Sequence, residues 1–360
     1  MRSVAGRIRG IFGKTDADAI IITNTDRQDS NFSYLTGFTS GVFEGTVLIV
    51  TRKGMVLPVS RLEYETAIEQ RPREMQVVMI ESRAQLAGII KRHVKSKSIG
   101  INGSFLPYKS YMNLKKLGPG RITDVSHAFY EARSVKDASE LKNITEANRI
   151  VKRAIEEAKK SLREGITERE FAGILDFTMM KLGASGAAFS TIVAFDRNAA
   201  LPHHMPNGTR LRKNCIVLVD AGAKYNNYCS DITRTFVFRP DKKSGKYRKF
   251  LEMYGIVKES QRIACGIIKD GVMGSRAHNS VAEYIDGALK GRYKGRFIHS
   301  LGHAIGIDVH DPGPGLYANS KERLKANMVV SNEPGIYVVG FGGVRIEDDV
   351  IVTKTGCRVL

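Results

Sequence analysis

The chain has 360 residues, 42% hydrophobic and 26% charged, with a formal charge of +19; that length exceeds one ordinary core and predicts two domains, and the composition excludes a disordered chain. No apolar run approaches the ~18 residues of a membrane helix, and the start, "MRSVAGRIRGIFGK", has arginines but no apolar signal segment, so a solvated amphipathic first helix and a cytoplasmic protein are expected. The positive excess is spread along the chain, 19 basic against 11 acidic residues in 1–130 and 37 against 26 beyond; without a zinc finger, RNA-binding sheet or basic heptad signature it reads as a solvated surface, with no nucleic-acid and no membrane partner expected.

In chain order, Ala19–Ile22, Thr46–Val50 and Gly54–Val59 read as strands, and 60–70 and 83–96 as helices. That alternation predicts an α/β layer domain over 1–128. No glycine-rich phosphate loop occurs in it, so a nucleotide fold has no local support. A polar connector follows at 129–138, and the second domain is expected over 139–360. A helix starting at Ser139 carries Leu141, Ile144, Ala147, Val151, Ala154, Ile155, Ala158 and Leu162 at three-to-four spacing, one buried stripe that Gly165 ends. Thr167-Glu168-Arg169-Glu170 is a capping box opening a second helix that stops at Gly183. Strands over 188–238, helices over 246–269 and 276–290, and glycine-rich strands complete an order of helix, helix, hairpin used twice. The cysteines, Cys215, Cys229, Cys265 and Cys357, are scattered without C-x-x-C spacing and are expected to be buried free thiols rather than disulfides.

"LVDAGAKYNNYCSDITRT" (218–235) reads as a hairpin turning near Tyr225-Asn226-Asn227, with Asp220 and Asp231 brought within a register step or two of each other. Two like charges at that distance demand a shared proton or a cation. "NEPGIYVVGFGGVRIEDD" repeats the arrangement, turning at Gly340-Phe341-Gly342-Gly343 with Glu333 and Glu347 on opposite arms. Between the hairpins, "FIHSLGHAIGIDVHD" offers His299, His303 and His310; a helical zinc pair of His299 and His303 is disfavoured by Gly302 and Gly306. Four carboxylates and a histidine offset two divalent cations, and mixed oxygen and nitrogen ligation suits Mn, Co, Fe or Zn. The bland alternative makes each acid a surface strand residue or a salt-bridge partner of Arg234 or Arg345; for all of them in this order it is disfavoured.

"DAGAKYNNYCSDITRT", "HSLGHAIGIDVH", "NEPGIY" and "GGVRIED" resemble the motifs of the pita-bread metallopeptidases, a family that includes Xaa-Pro dipeptidases (prolidases), aminopeptidase P and methionine aminopeptidases. The resemblance covers about 135–360. "NFSYLTGFTSG" and "SRLEYETA" resemble the amino-terminal domain of prolidases and aminopeptidase P. The implied fold is a creatinase-like α/β amino-terminal domain plus an α+β pita-bread catalytic domain with pseudo-twofold duplicated hairpins. The implied metal ligands are Asp220, Asp231, His303, Glu333 and Glu347, with Asp231 and Glu347 bridging two ions. A hydroxide between those ions would attack the peptide carbonyl, and Glu333 would shuttle its proton.

By the same resemblance His203, in "ALPHH", lies beside the substrate, and His310 contacts the scissile amide or its tetrahedral intermediate. Arg345 orients a ligand or binds substrate, and Thr233, two residues after Asp231, supports the bridging carboxylate. Two departures stand out. His204 replaces the family's usual glycine, and "HDPGPGLYANS" lacks the arginine with which prolidases hold a dipeptide's carboxylate, leaving Lys321 or Arg323 to substitute. The implied activity is hydrolysis of the bond before proline in small proline-containing peptides, most simply Xaa-Pro dipeptides, with aminopeptidase P activity on longer peptides as the rival. A metal-free binding or chaperone module is disfavoured because all five ligands are present. A homodimer is implied, because the amino-terminal domain in this family often reaches a neighbour's site for dimerisation and as an active-site rim.

Overall fold

A computed structural model describes residues 3–360. The chain divides into two compact units, Met1–Arg133 and Ser134–Leu360. The division falls inside the connector expected at 129–138, and the first half of that connector is helical.

The first unit holds α1 (Val4–Phe12), β1 (Ala19–Thr23), α2 (Ser30–Thr36), β2 (Val47–Thr51), β3 (Gly54–Val59), α3 (Arg61–Gln70), β4 (Met75–Met79), α4 (Arg83–Val94), β5 (Ser98–Ile101), α5 (Tyr108–Lys115), β6 (Arg121–Asp124) and α6 (Ser126–Ser134). Its six strands form one mixed sheet in the order β4-β3-β2-β1-β5-β6. β1 and β2 are buried along almost their whole length, which explains their unbroken apolar runs. Ile89, Ile90 and Val94 of α4 and Leu114 of α5 cover Ile21, Ile49 and Ile99 on one face. Ala128 and Phe129 bury one side of α6, which is why a segment that reads as polar connector folds as helix.

The second unit begins with α7 (Ala138–Ala158) and α8 (Glu168–Lys181). Both start on complete capping boxes, Asp137 with Glu140 and Thr167 with Glu170. There follow β7 (Gly186–Ala187), β8 (Ile192–Phe195), β9 (Cys215–Ala221), β10 (Ala223–Tyr225), β11 (Tyr228–Cys229) and β12 (Ile232–Phe238), then α9 (Gly245–Ile267) and α10 (Gly274–Gly291). Regular helix in α10 gives way at Ala288, after which Leu289 and Lys290 take positive φ of 50° and 58°. β13 (Val329–Asn332), β14 (Gly335–Val338), β15 (Gly342–Arg345), β16 (Asp348–Val352) and β17 (Cys357–Val359) close the chain.

Alternation along β9 separates two cores. Cys215, Val217, Val219 and Ala221 pack with Ile150, Val151 and Ala154 of α7 and Phe171 and Leu175 of α8. Ile216 and Leu218 turn the other way, toward Met253 and Val257 of α9, Val281 of α10 and the strands β13 to β16. With a side-chain period of two, Asp220 falls on the second face. A strand buried on both sides therefore ends by aiming a carboxylate between the two hairpins.

The disulfide expectation is corrected. Cys265 and Cys357 are bonded, with Cα atoms 5.8 Å apart; α9 and β17 lie side by side although 92 residues separate the two cysteines. Cys215 and Cys229 are free and buried, and burial pushes both thiols up to about 12. Among the described residues no helix is long and apolar enough to cross a membrane.

Candidate metal centre

Both hairpins hold one register through an interruption. In the first, β9 and β12 pair Cys215 with Phe238 through to Ala221 with Ile232. The same register resumes where Lys224 meets Cys229 and Tyr225 meets Tyr228, closed by Asn226 and Asn227 at positive φ of 46° and 71°. Gly222 and Asp231 thus face each other in the gap. A Cβ on Gly222 would lie 2.1 Å from the Ser230 carbonyl oxygen, so only glycine fits there. In the second hairpin β13 and β16 pair Asn332 with Asp348, and β14 and β15 pair Gly335 with Arg345, again in one register. Glu333 and Glu347 face each other in its gap. Freed from its own ladder, the Glu347 N–H donates to the Thr233 carbonyl on the first hairpin at 3.2 Å. Thr235 Oγ1 donates to the Arg345 carbonyl at 2.8 Å, and Arg234 Nη1 donates to the Glu347 carbonyl at 2.5 Å.

One ligand atom each from Asp231, His303 and Glu347 lies within 4.8 Å of the others. His303 Nε2 is 3.6 Å from Asp231 Oδ2 and 3.5 Å from Glu333 Oε1. Asp220 meets this group from β9 and accepts from Arg345 Nη2 at 2.5 Å. Residues 297–310 form no helix; His299 Nε2 lies 2.8 Å from the Tyr337 phenol oxygen and its Nδ1 3.9 Å from Glu333 Oε2. His310 is exposed and packs edge-on to His303, with ring centroids 4.2 Å apart. His203 is also exposed, and it adds to the downward push that burial and Arg345 exert on His299.

Burial governs the electrostatics. It pushes Asp231 well above the carboxylate range, reinforced by repulsion from Glu347 and Asp220. It pushes Glu347 up likewise, with Glu333 and Asp220 adding to it, and takes Glu333 up to about 8, against the pull of Arg345. His303 is pushed down to about 4 by burial, with His310 adding to it. The donor set is therefore an unstable arrangement of charges on its own, the condition that a cation relieves. Asp220 Oδ1, Asp231 Oδ1 and Glu347 Oε1 are buried with no hydrogen-bond partner among the described residues, and buried carboxylate oxygens left orphaned are costly unless something fills the site. Four carboxylates and one imidazole converging on orphaned oxygens fit divalent cations in chemistry and charge.

Supporting contacts show what sequence reading missed. The Arg345 guanidinium, buried at 3% exposure, also donates to Thr233 Oγ1 at 2.9 Å and to the Tyr337 oxygen at 2.8 Å. Its fork is thus shared among Asp220, Thr233 and Tyr337. Thr233 Oγ1 donates to Glu347 at 2.6 Å, one of the two carboxylates expected to bridge. Asp349, also buried, accepts from the Asp231 N–H at 3.0 Å and from Asn148 Nδ2 at 2.8 Å. Asn148 sits on the buried stripe of α7, and a polar residue on an apolar stripe is the signal that could have pointed to it. Gln261 on α9 reaches the carbonyls of Asn332 and Ile346, each at 3.4 Å, which precede Glu333 and Glu347.

Residues 142–354 match the model of metallopeptidase family M24, and residues 6–135 that of the creatinase/prolidase N-terminal domain. The chain belongs to the M24 metallopeptidases. It is 34% identical to a Xaa-Pro dipeptidase of Pyrococcus horikoshii over 100% of this chain and 97% of that protein. Among solved structures it resembles a Xaa-Pro dipeptidase from Bacillus anthracis, with a TM-score of 0.86, 32% identity and coverage of 99% of this chain and 96% of that one. An X-Pro aminopeptidase from Thermotoga maritima gives a TM-score of 0.86, 29% identity and coverage of 97% and 96%.

Proposed function

We propose that the chain is a metal-dependent exopeptidase that cleaves the bond before proline in Xaa-Pro dipeptides. The observation that carries the metal site is the meeting of Asp231, His303 and Glu347 ligand atoms within 4.8 Å, with Glu333 and Asp220 beside them. Proline preference rests on the full-length likeness to a Xaa-Pro dipeptidase. Asp220, Asp231, His303, Glu333 and Glu347 would hold two divalent ions, with Asp231 and Glu347 shared. Bound there, such cations supply Lewis-acid chemistry, activating water at neutral pH and polarising the scissile carbonyl.

The chain's own groups do the rest. Glu333, fixed by Ser331 Oγ donating to its Oε1 at 3.2 Å, takes the proton of the attacking water and passes it to the departing proline nitrogen. His203 and His310, both exposed at the site, donate hydrogen bonds to the substrate and to the oxyanion that develops in the transition state, a contribution of about 3 kcal/mol per donor. Arg345 acts by holding Asp220, with its other donors on Thr233 and Tyr337. Lys321 and Arg323, both exposed, are the candidates to hold a dipeptide's carboxylate. A homodimer in the cytoplasm completes the proposal, and sedimentation velocity tests its first part.

Rates on Ala-Pro and Ala-Pro-Ala after reconstitution with Mn, Co, Fe or Zn test the reading, with Asp231→Asn as control. Turnover of Ala-Pro that is lost in the control supports it. Turnover only of the tripeptide makes the chain an aminopeptidase P, a reading favoured by the equal likeness to the X-Pro aminopeptidase structure. No stoichiometric metal and no rescue would leave only a binding module.

A further inference from the structure

Resting on the roles just given to His203 and His310, we propose that each of these histidines is held in place by the residue that follows it: His203 by the His204–Glu168 pair and His310 by the Asp311–Lys136 pair. The four partners are positioning residues, and none of them touches substrate.

From Leu201 to Arg210 the chain crosses the surface, and His204 is the single buried residue in that stretch. Its Nε2 lies 2.8 Å from Glu168 Oε2. Glu168 is the first residue of α8, and its side chain is wholly buried. The same carboxylate accepts from Phe195 N at 2.7 Å, Asn198 Nδ2 at 2.9 Å and Asn207 N at 3.1 Å. All the donors come from the segment that carries His203, before and after it. A buried carboxylate is tolerated only when its lone pairs are met, so the segment has one conformation in which Glu168 is satisfied. His204 supplies one of the four donors and is the one chain neighbour of His203 among them. The exposed imidazole next to it is thereby fixed at a surface position where no packing of its own would fix it.

The second histidine repeats the device. Between Ile307 and Pro314, Asp311 is the single buried residue. Its Oδ2 lies 3.1 Å from Lys136 Nζ, and the two side chains are 2% and 1% exposed. Its Oδ1 accepts from Asp308 N at 3.2 Å, its own N–H donates to the Ala304 carbonyl at 2.9 Å, and the carboxylate lies where a Cβ on Gly306 would be. Lys136 is anchored in turn by its N–H to the Asn327 carbonyl at 3.0 Å. It stands one residue before Asp137, the N-cap of α7. Each of the two histidines is thus followed by a buried residue paired with a side chain at the start of one of the helices α7 and α8. Single-geometry positioning of this kind matters because displacement of a catalytic group by about 1 Å costs on the order of a hundredfold in rate.

Double-variant cycles in the full-length, metal-loaded protein with Ala-Pro as probe test the proposal. His204→Ala is expected to lower kcat about tenfold or more with little change in KM or in metal content. His204→Gln, which keeps a donor near the same place, should recover most of the loss. Because His204 acts through His203, His203→Ala/His204→Ala should be no slower than His203→Ala. Losses that multiply in the double variant, or a full-speed His204→Ala beside a slow His203→Ala, overturn the positioning role. An inert His203→Ala instead sinks the donor role given above. In the second arm Asp311→Asn replaces His204→Ala and His310→Ala replaces His203→Ala, with the same outcomes. Should a lone Lys136 charge unfold the chain, Lys136→Met/Asp311→Asn removes both charges and serves in its place.

Discussion

Arg345 and Asp220, 125 residues apart, meet with Nη2 2.5 Å from Oδ2 in a buried contact across the two hairpins. The same guanidinium holds Thr233 and, through Tyr337, reaches His299. A planar fork with fixed donor directions is what this site uses, and an ammonium cannot reproduce it. Arg345→Lys is therefore expected to weaken metal affinity by about 10–100-fold. Its activity should return at raised metal concentration, which a metal titration followed by activity checks. Arg345→Met leaves Asp220 without its partner and should cost about 3–5 kcal/mol, visible in chemical denaturation of the metal-free protein.

The pH dependence of the metal-free protein has a definite sign. Glu333 is raised from 4.5 to about 8 and Asp349 from 3.8 to about 7 in the folded chain. Raised carboxyls bind more protons folded than unfolded, so their contribution to stability falls as pH climbs from the unfolded toward the folded value. His299 and His303 are lowered from 6.5 to about 4, and their contribution rises over pH 4 to 6.5. Above 6.5 the histidines no longer offset the acids. Chelated protein should therefore lose Tm between pH 6.5 and 8, and added Mn or Co should raise Tm more at pH 8 than at pH 6.5. A metal-induced shift that is flat or shrinks with pH would contradict this.

Reduction of the Cys265–Cys357 disulfide opens a loop of 92 residues, worth about 4.6 kcal/mol in the unfolded chain. For a unit of this size that corresponds to a Tm lower by on the order of 10 °C. Cys357→Ser should match the reduced wild type, and reductant should shift it no further.

Gly302 is packed so closely that a Cβ would lie 2.1 Å from the Ser331 carbonyl oxygen. The N–H of the next residue, His303, donates to Ser331 Oγ at 3.0 Å. Gly302→Ala is expected to push the His303 segment off β13 and lower bound metal at least tenfold, measured by elemental analysis after dialysis. Gly340→Ala, at a hairpin turn with positive φ of 79° but open space around it, should instead cost about 1 kcal/mol of stability and leave metal content unchanged.

Much of the site was legible because strands have a period of two. Ile216, Leu218 and Asp220 share a face by arithmetic alone, and Asn226-Asn227 announces the turn that folds Asp231 back toward it. The paired glutamates follow from the same logic around Gly340. Contacts that join distant segments carry no local signature. Thr233 lies two residues from Asp231 yet holds Glu347, because the two hairpins run side by side. The Cys265–Cys357 bond depends on α9 and β17 being neighbours, which spacing does not encode. The connector at 129–138 looked like a linker because its composition is polar, yet Phe129 and Arg133 are buried, and tertiary context decided it.

The interrupted ladders have a consequence for how the protein acquires its ions. Where each hairpin releases its own pairing, the two halves are stitched to each other by Glu347 N–H to the Thr233 carbonyl, Thr235 to Arg345 and Arg234 to the Glu347 carbonyl. None of these bonds involves a cation. The seat is therefore framed by bonds of the chain itself, and a chelated sample is expected to regain activity on added ions without passing through unfolding and refolding, which far-UV circular dichroism before and after chelation checks.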